Sequence, residues 1–410
     1  MHYETQNLSS SPLVLLHRPF VFLLCARAAT YMAFQMLGVA VGWQIYAITG
    51  SAMYLGLVGL AQFLPMFLLT LVVGHVADRY DRRNIARICQ TIEGLSAGVL
   101  ALASFGGWQS KESILLIIFI VGAARAFEGP TLHALLPGLV PVQIFPRAAA
   151  WSSSAMQTAT IVGPALGGFL YAAGPAIVYL TTGIVFLAAS VFVALIRIER
   201  LPLRHEPVSV RSVFAGVSYI KSHREILGAI SLDLFAVLLG GATALLPVYA
   251  RDILVTGPWG LGLLRSAPAV GALMMSVYLA RHPLRRRVGR SMFRAVAVFG
   301  AATILFAVST SFLFSFSLLV ILGASDVISV VIRHSLVQIR TPDEMRGRVS
   351  AVNSMFIGAS NQLGEFESGV TAALFGTVPA VLIGGIGTIF VVMLWMRFFP
   401  QLAEVDTLDR

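Results

Sequence analysis

The chain has 410 residues, of which 57% are hydrophobic and only 12% charged, with a formal net charge of +10. A soluble globular protein carries about a quarter charged residues, so too little polar surface is present to cover a water-soluble globule of this size. A basic balance in a soluble chain points to nucleic acid. Here the basic residues sit in short loops between apolar blocks of about twenty residues, the length a helix needs to cross a hydrocarbon core, so a membrane and not nucleic acid is the expected partner.

The first 19 residues are mostly polar and lack the basic start and cleavage site of a signal peptide, so the first apolar block is expected to be a retained span. Twelve spans are predicted near 20–46, 52–76, 84–106, 113–136, 146–171, 175–196, 226–248, 259–280, 290–310, 312–334, 348–372 and 378–399. The blocks are too long for barrel strands, and lipid-exposed backbone must satisfy itself, so they are read as helices.

Span 1 carries Arg27 and a run of large side chains, Tyr31, Phe34, Met36 and Trp43, suited to an amphipathic substrate, to lipid or to the core. Cys25 and Cys89 fall inside apolar blocks and read as small hydrophobes, not as a disulfide. Between spans 2 and 3 stands GHVADRYDRR, with Gly74, Asp78, Arg79, Arg82 and Arg83. Gly74 permits close helix approach, and the acid and arginines at the membrane edge can pair across the inner face. Span 3 holds Glu93, expected to be structural, and Gly94-Leu95-Ser96-Ala97-Gly98. That pentapeptide fits G-x-S-x-G, but a nucleophile elbow needs a strand-to-helix turn, so three small residues on a packing face explain it better than an intramembrane enzyme. Neither H-E-x-x-H nor a phosphate-binding loop occurs, so no metal, no cofactor and no direct use of ATP are expected.

Span 4 carries RAFEGP, where Arg125 and Glu128, three apart, can pair on one helix face. Span 5 carries ATIVGPALGG, with Gly163, Pro164, Gly167 and Gly168 for close packing and a bend. A basic linker near 197–225 contains the amphipathic stretch SVRSVFAGVSYIKSHREI. It divides the chain into a six-span bundle over 1–196 and another over 226–410. In the second bundle Asp233 lies on span 7, Arg285, Arg286 and Arg287 follow span 8, Asp326 and Arg333 lie on span 10, and Glu365 joins the polar stripe of Asn361 and Ser368 on span 11.

The two bundles repeat one another. At an offset of 201 residues Gly122 meets Gly323, His133 meets His334, Arg147 meets Arg348, Gly163 meets Gly364 and Gly168 meets Gly369. An offset of 206 aligns Gly56 with Gly262. These registers set Arg125 opposite Asp326 and Arg27 opposite Asp233, so opposite-charge pairing between the halves is expected, direct or through water. An ionised residue at mid-membrane costs roughly 2.5–3.5 kcal/mol on insertion scales, and each such residue needs a partner or water. Parallel repeats of this kind suggest alternating access around a site at their interface.

Of the 29 basic residues, 23 fall on one side of the twelve-span arrangement, Lys111 and Arg251 on the other, and Arg27, Arg125, Arg265 and Arg333 within spans. The positive-inside rule makes the crowded side cytoplasmic, with both termini.

The 74–83 loop resembles the G-x-x-x-D-R-x-x-R-R/K signature of the major facilitator superfamily. RAFEGP is similar to its R-x-x-Q-G pattern with Glu for Gln. Span 5 resembles the G-P-x-x-G-G signature of its drug:proton antiporters, although Ala150 and Ala159 stand where that signature has two upstream glycines. RTPDEMRGRVSAVNSMF after span 10 is similar to bacterial siderophore exporters. The resemblance implies an all-α fold of twelve helices in two pseudo-symmetric bundles, in a monomer of the cell membrane. It implies a small-molecule carrier, with proton-coupled export of a siderophore- or drug-like compound ahead of an uptake symporter or facilitator. It makes Gly74, Asp78, Arg79, Arg82 and Arg83 a gating loop. Arg27, Arg125, Glu128, Asp233, Asp326 and Glu365 become cavity or proton-coupling charges. Reporters fused after Arg410 or within 200–220 are expected to read as cytoplasmic and one near Lys111 as external; an external signal from 200–220 breaks the twelve-span topology.

Overall fold

The structure, a computed structural model, describes residues 17–197, 210–284 and 286–407. Arg285 and part of the basic linker lie outside them. Six long helices come first: α1 (Arg18–Thr49), α2 (Ala52–Arg79), α3 (Arg82–Gly106), α4 (Lys111–Leu135), α5 (Phe145–Ala172) and α6 (Pro175–Ala194). The amphipathic linker stretch forms α7 (Val210–Ser222), and α8 (Arg224–Leu239) follows. Then come α9 (Gly257–Arg281), α10 (Val288–Ala307), α11 (Phe312–Arg340), α12 (Asp343–Phe375), α13 (Thr377–Phe398) and the short α14 (Pro400–Glu404). The helix limits have local causes. Proline opens α1, α5, α6 and α9 where its missing N–H costs nothing. Asp81 caps α3, Ser110 and Ser113 form a capping box on α4, and Gly50 and Gly107 end α1 and α3 in the left-handed conformation.

Ten helical segments among the described residues are long and apolar enough to cross a membrane. The two further expected spans, α5 and α12, have 28 and 33 residues but are not among the ten. Their polar stripes (Ser153, Gln157 and Thr160; Ser354, Asn361 and Ser368) lower their apolarity, and both helices pack against helices of the other bundle. Span 7 also departs from expectation. A continuous helix over 226–248 is predicted, but α8 stops at Gly240-Gly241 and the chain continues through short turns to a π-helical turn at Tyr249–Ile253. The glycine pair permits the break and Pro247 follows it. A Cβ at Gly241 would lie 2.5 Å from the Gly364 carbonyl oxygen, so the broken segment is pressed onto α12.

The two sets of six helices meet through glycine. A Cβ at Gly369 of α12 would stand 2.5 Å from the Gly56 Cα on α2, and one at Gly168 of α5 would stand 3.0 Å from the Gly262 Cα on α9. These are the glycines that the internal repeat aligns: the α2–α12 and α5–α9 crossings are copies of one contact. Gly163 and Gly167 turn instead to α1, toward Gln35 and Met36. The α5 motif thus fastens one helix of its own half and one of the other.

Both crossings lie toward the end of the bundle away from the termini. There the buried apolar clusters contain members of both halves: Val39 of α1 sits among Leu245, Tyr249, Leu261 and Leu264, and Val248 sits among Leu37, Val41 and Ile45. Toward the terminus-bearing end each cluster stays within one half, around Phe20, Leu132 and Val193 in the first and around Leu232, Met292 and Leu336 in the second. Ser154 on α5, Met274 and Tyr278 on α9 and Met355 on α12 are exposed there. The molecule is therefore sealed at the distal end and parted at the terminus-bearing end. The linker helix belongs to the second half, where Gly216 fits against Arg348 and Ile220 packs with Val349 and Val352.

Gly168→Ala forces a methyl into backbone and is expected to cost about 1–3 kcal/mol and to loosen the distal seal. In a background lacking Cys25 and Cys89, a cysteine introduced as Val39→Cys should react faster with an impermeant thiol reagent when Gly168→Ala is present. Gly98→Ala, where no atom lies within 4 Å of the new Cβ, should leave that rate unchanged; equal rates in all three proteins refute the assignment of the seal to this crossing.

Candidate transport site

The arginines after α2 are tied to neighbouring helix ends. The Arg82 Nη1 donates to the Ala134 carbonyl at 3.2 Å, near the end of α4. Arg83 bridges to Asp81 at 2.7 Å and donates to the Ile196 carbonyl at 3.1 Å, just after α6. The Arg83 guanidinium holds the Asp81 carboxyl below the usual carboxylate range. Arg79 is exposed. The backbone of α2 runs through Gly74 and Asp78, and the Asp78 side chain lies outside the described residues. Arg82 and Arg83 clamp α3, α4 and α6 of one half together.

In the first half, Arg27 is buried, with Nη2 at 3.3 Å from the His133 Nδ1 and 2.9 Å from the Met156 sulfur. Arg125 pairs with Glu128 at 3.4 Å on the same helix face, as the spacing predicts. Its guanidinium lies 3.8 Å from the Phe34 ring centroid and 5.6 Å from that of Tyr31, a cation–π seat. Glu93 is fully buried. In the second half Asp233 is paired with Arg333 of α11, both buried. Asp326 shares with Asp233, Ser325, Ser329 and Phe299 a void of about 10 Å³, room for one water.

The expected pairing of Arg27 with Asp233 and of Arg125 with Asp326 across the halves is not made by direct contact. Arg27, Arg125 and Asp233 each take a partner from their own half. The reason is geometric: the halves part toward the terminus-bearing end, and a charge in low dielectric takes the nearest compensating group. Within the spans, two other charged residues, Arg265 and Glu365, do approach the opposite half. A Cβ at Gly38 of α1 would be 3.0 Å from the Arg265 Nη1, and one at Gly59 of α2 would be 2.8 Å from the Glu365 Cβ. Each of the two feels the charge of the other.

Sequence reasoning missed a further contact at the distal end. The Tyr46 hydroxyl of α1 donates to the Asp252 carboxylate, and Arg251 Nη1 donates to the Tyr46 carbonyl at 3.1 Å with its guanidinium 5.5 Å from the Tyr46 ring. Arg251 and Asp252 sit in the π-helical turn, a distortion common at functional sites. Its signal in the sequence is slight: Arg251 is one of two basic residues on the sparse side. No group of His, Cys, Asp and Glu able to hold a metal occurs among the described residues. The G-x-S-x-G stretch lies wholly inside α3, with Gly94 against Leu187 and Gly183 of α6.

An all-helical bundle with a gap between two repeated sets of six, charges of both signs within it and glycine crossings closing one end defines a carrier of the major facilitator fold. The chain belongs to the transmembrane secretion effector family of that superfamily, whose pattern matches residues 10–410; its members are transporters, not enzymes. It is 25% identical over 402 residues to the enterobactin exporter EntS of Citrobacter koseri, covering 94% of this chain and 93% of that protein. It is 26% identical over 391 residues to the multidrug efflux pump Tap of Mycobacterium tuberculosis, covering 90% of each. Macrolide efflux protein A of Streptococcus pyogenes is 26% identical over 273 residues, 63% of this chain and 65% of that protein, so the match spans just under two thirds of its length. Among solved structures, the fold is similar to that of a bacterial homologue of the lysosomal transporter Spinster in an inward-facing state (TM-score 0.73, 14% identity, 96% and 98% coverage). It is also similar to that of a bacterial ferroportin homologue in an inward-facing state (TM-score 0.69, 18% identity, 94% and 99% coverage).

Removing one partner of the buried Asp233–Arg333 pair should cost about 3–5 kcal/mol, because the other charge is left uncompensated. Asp233→Asn is expected to lower the thermal transition in detergent, and adding Arg333→Gln to restore most of it. A double variant as unstable as the single one removes the pair as the cause.

Proposed function

We propose that this protein exports an amphipathic small molecule of siderophore or drug-like character, as a monomer in the cell membrane with both termini in the cytoplasm, and that proton entry drives the export. The two six-helix halves rock about the glycine crossings. The present form, parted at the terminus-bearing end, receives substrate from the cytoplasm. The Tyr46–Asp252–Arg251 contact opens when the halves rock the other way, and the Asp78–Arg83 loop latches the cytoplasmic side. Three efflux proteins among the relatives favour export over uptake.

One observation carries the coupling reading. Two carboxylates, Asp233 and Asp326, share a single guanidinium, Arg333, and the pair is made by Asp233. Asp326 is then the acid whose charge has no direct partner, and a proton arriving there removes a charge from an apolar setting. A proton needs only a titratable group that meets each side in turn, whereas the sequence contains no nucleotide-binding loop to supply another source of energy.

In proteoliposomes with an imposed pH gradient, wild type should transport uphill. Asp326→Asn should lose uphill transport by at least tenfold, corresponding to about 1.4 kcal/mol, while keeping downhill exchange. Wild-type transport indifferent to the gradient sinks proton coupling. A normal response in Asp326→Asn moves the coupling acid elsewhere, with Glu365 next.

A further inference from the structure

The first half contains a second arrangement of two acids and one cation, and one of its acids, Glu93, is a residue the sequence reading assigns only to structure. Glu93 of α3 is 0% exposed and neither carboxyl oxygen has a hydrogen-bond partner. Glu128 of α4 is 1% exposed; its Oε2 meets Arg125 and its Oε1 has no partner. The two glutamates and Arg125 lie within electrostatic reach of one another.

A second group points to the ligand this cluster holds. Gln90, one turn before Glu93, is also 0% exposed. Its amide nitrogen donates to the Thr30 hydroxyl of α1 at 3.0 Å, and its carbonyl oxygen has no partner. A buried amide oxygen without a donor thus stands beside a carboxyl pair with three unpartnered oxygens, so a further hydrogen has acceptors waiting there, while Gln90 and Thr30 are the neutral donors near Glu128. With both acids ionised, the cluster has one uncompensated negative charge in an apolar interior, a state that proteins avoid by neutralising the group. With one proton added, the charge balances against Arg125, and the new O–H has acceptors in Gln90 and in the other carboxylate.

Among the described residues the surroundings supply no alternative counter-charge. On α3 itself stand the Cys89 thiol and Gln90. From α4 come Arg125 and Glu128, and from α1 Thr30 and Tyr31. The α6 helix presents Gly183 and Leu187 beside Gly94, and its one titratable residue is Tyr179. On α2 the backbone of Gln62 meets Gly122, and the side chains of His75 and Asp78 are outside the described residues.

We propose that Glu93 and Glu128 share one proton in a dry site between α3 and α4, and that Arg125 governs its retention. Arg125 is the member of the cluster with an open side: its side chain is 22% exposed and lies over Phe34 and Tyr31. An anionic group that draws Arg125 toward the gap leaves the two acids with no cation, and the cluster then takes up a second proton. A cationic group brought beside Glu128 displaces the shared one. This site stands apart from Asp326, and either can fail without the other.

The test reads the proton, not transport. Infrared difference spectra of purified protein in lipid vesicles at neutral pH report the carbonyl stretch of protonated carboxyls. Relative to wild type, Glu93→Gln and Glu128→Gln should each lose the band of one carboxyl, because the remaining acid pairs with Arg125 as a carboxylate. Arg125→Met should double the band of this cluster. On the wild type itself, an apolar carbodiimide, which reacts with protonated buried carboxyls, should leave an adduct on the peptide of Glu93 or of Glu128. A band that survives in Glu128→Gln means a proton fixed on Glu93 alone and overturns sharing. No band lost in either variant, together with no adduct on wild type, overturns the site.

Discussion

The structure depends on backbone approaching backbone at two glycine crossings, Gly56 with Gly369 and Gly168 with Gly262. Helices this close leave no room for a Cβ on either side. Small residues at such contacts let dispersion and tight packing join helices in lipid, where no hydrophobic drive exists between apolar surfaces. Because the crossings are related by the internal repeat, they form a symmetric pair of pivots. Everything else follows from their position near one end: that end is sealed by mixed apolar clusters, the other end is free to part, and the charged residues lie between.

The charged residues obey one rule. Buried acids outnumber the cations near them by two to one in each half: Glu93 and Glu128 with Arg125, Asp233 and Asp326 with Arg333. A fully compensated set of pairs would be inert, since breaking any pair leaves a costly isolated charge. A surplus acid permits a change of protonation without unpairing anything. The two span charges that reach toward the other half have different company. Arg265 faces the glycines of α1, and Glu365 faces Gly59 of α2, so their surroundings change when the halves move.

Much of this was legible in advance, and the reasons are specific. The spans were read from apolar blocks, and observed limits lie within a few residues of expectation except in span 7, at the end of span 10, which runs on to Arg340, and at the start of span 11, which begins at Asp343. In span 7 hydropathy alone ran the helix through Gly240-Gly241, although the glycine pair and Pro247 were visible breakers. The Arg125–Glu128 pair was legible because three residues is a helix neighbour distance. The partners of Arg27 and Asp233 were not. A register between repeats says which residues are equivalent, and equivalent residues sit across the pseudo-symmetry axis rather than in contact. Glu93 looked structural because span 3 is a peripheral helix in the fold that the resemblance implies, yet α3 packs on α4 and brings Glu93 within electrostatic reach of Glu128 and Arg125.

The sequence by itself determined that the chain lives in a membrane, that its helices number about a dozen in two repeated sets and that charges of both signs are kept within them. These are properties of composition, periodicity and local spacing, which act along the chain. Only the tertiary structure decided which charge meets which, which glycine faces which helix, and which end of the bundle is shut. Those depend on helices far apart in sequence coming within a few ångströms, where a long side chain such as Arg333 or Arg265 has several partners in reach and packing selects one.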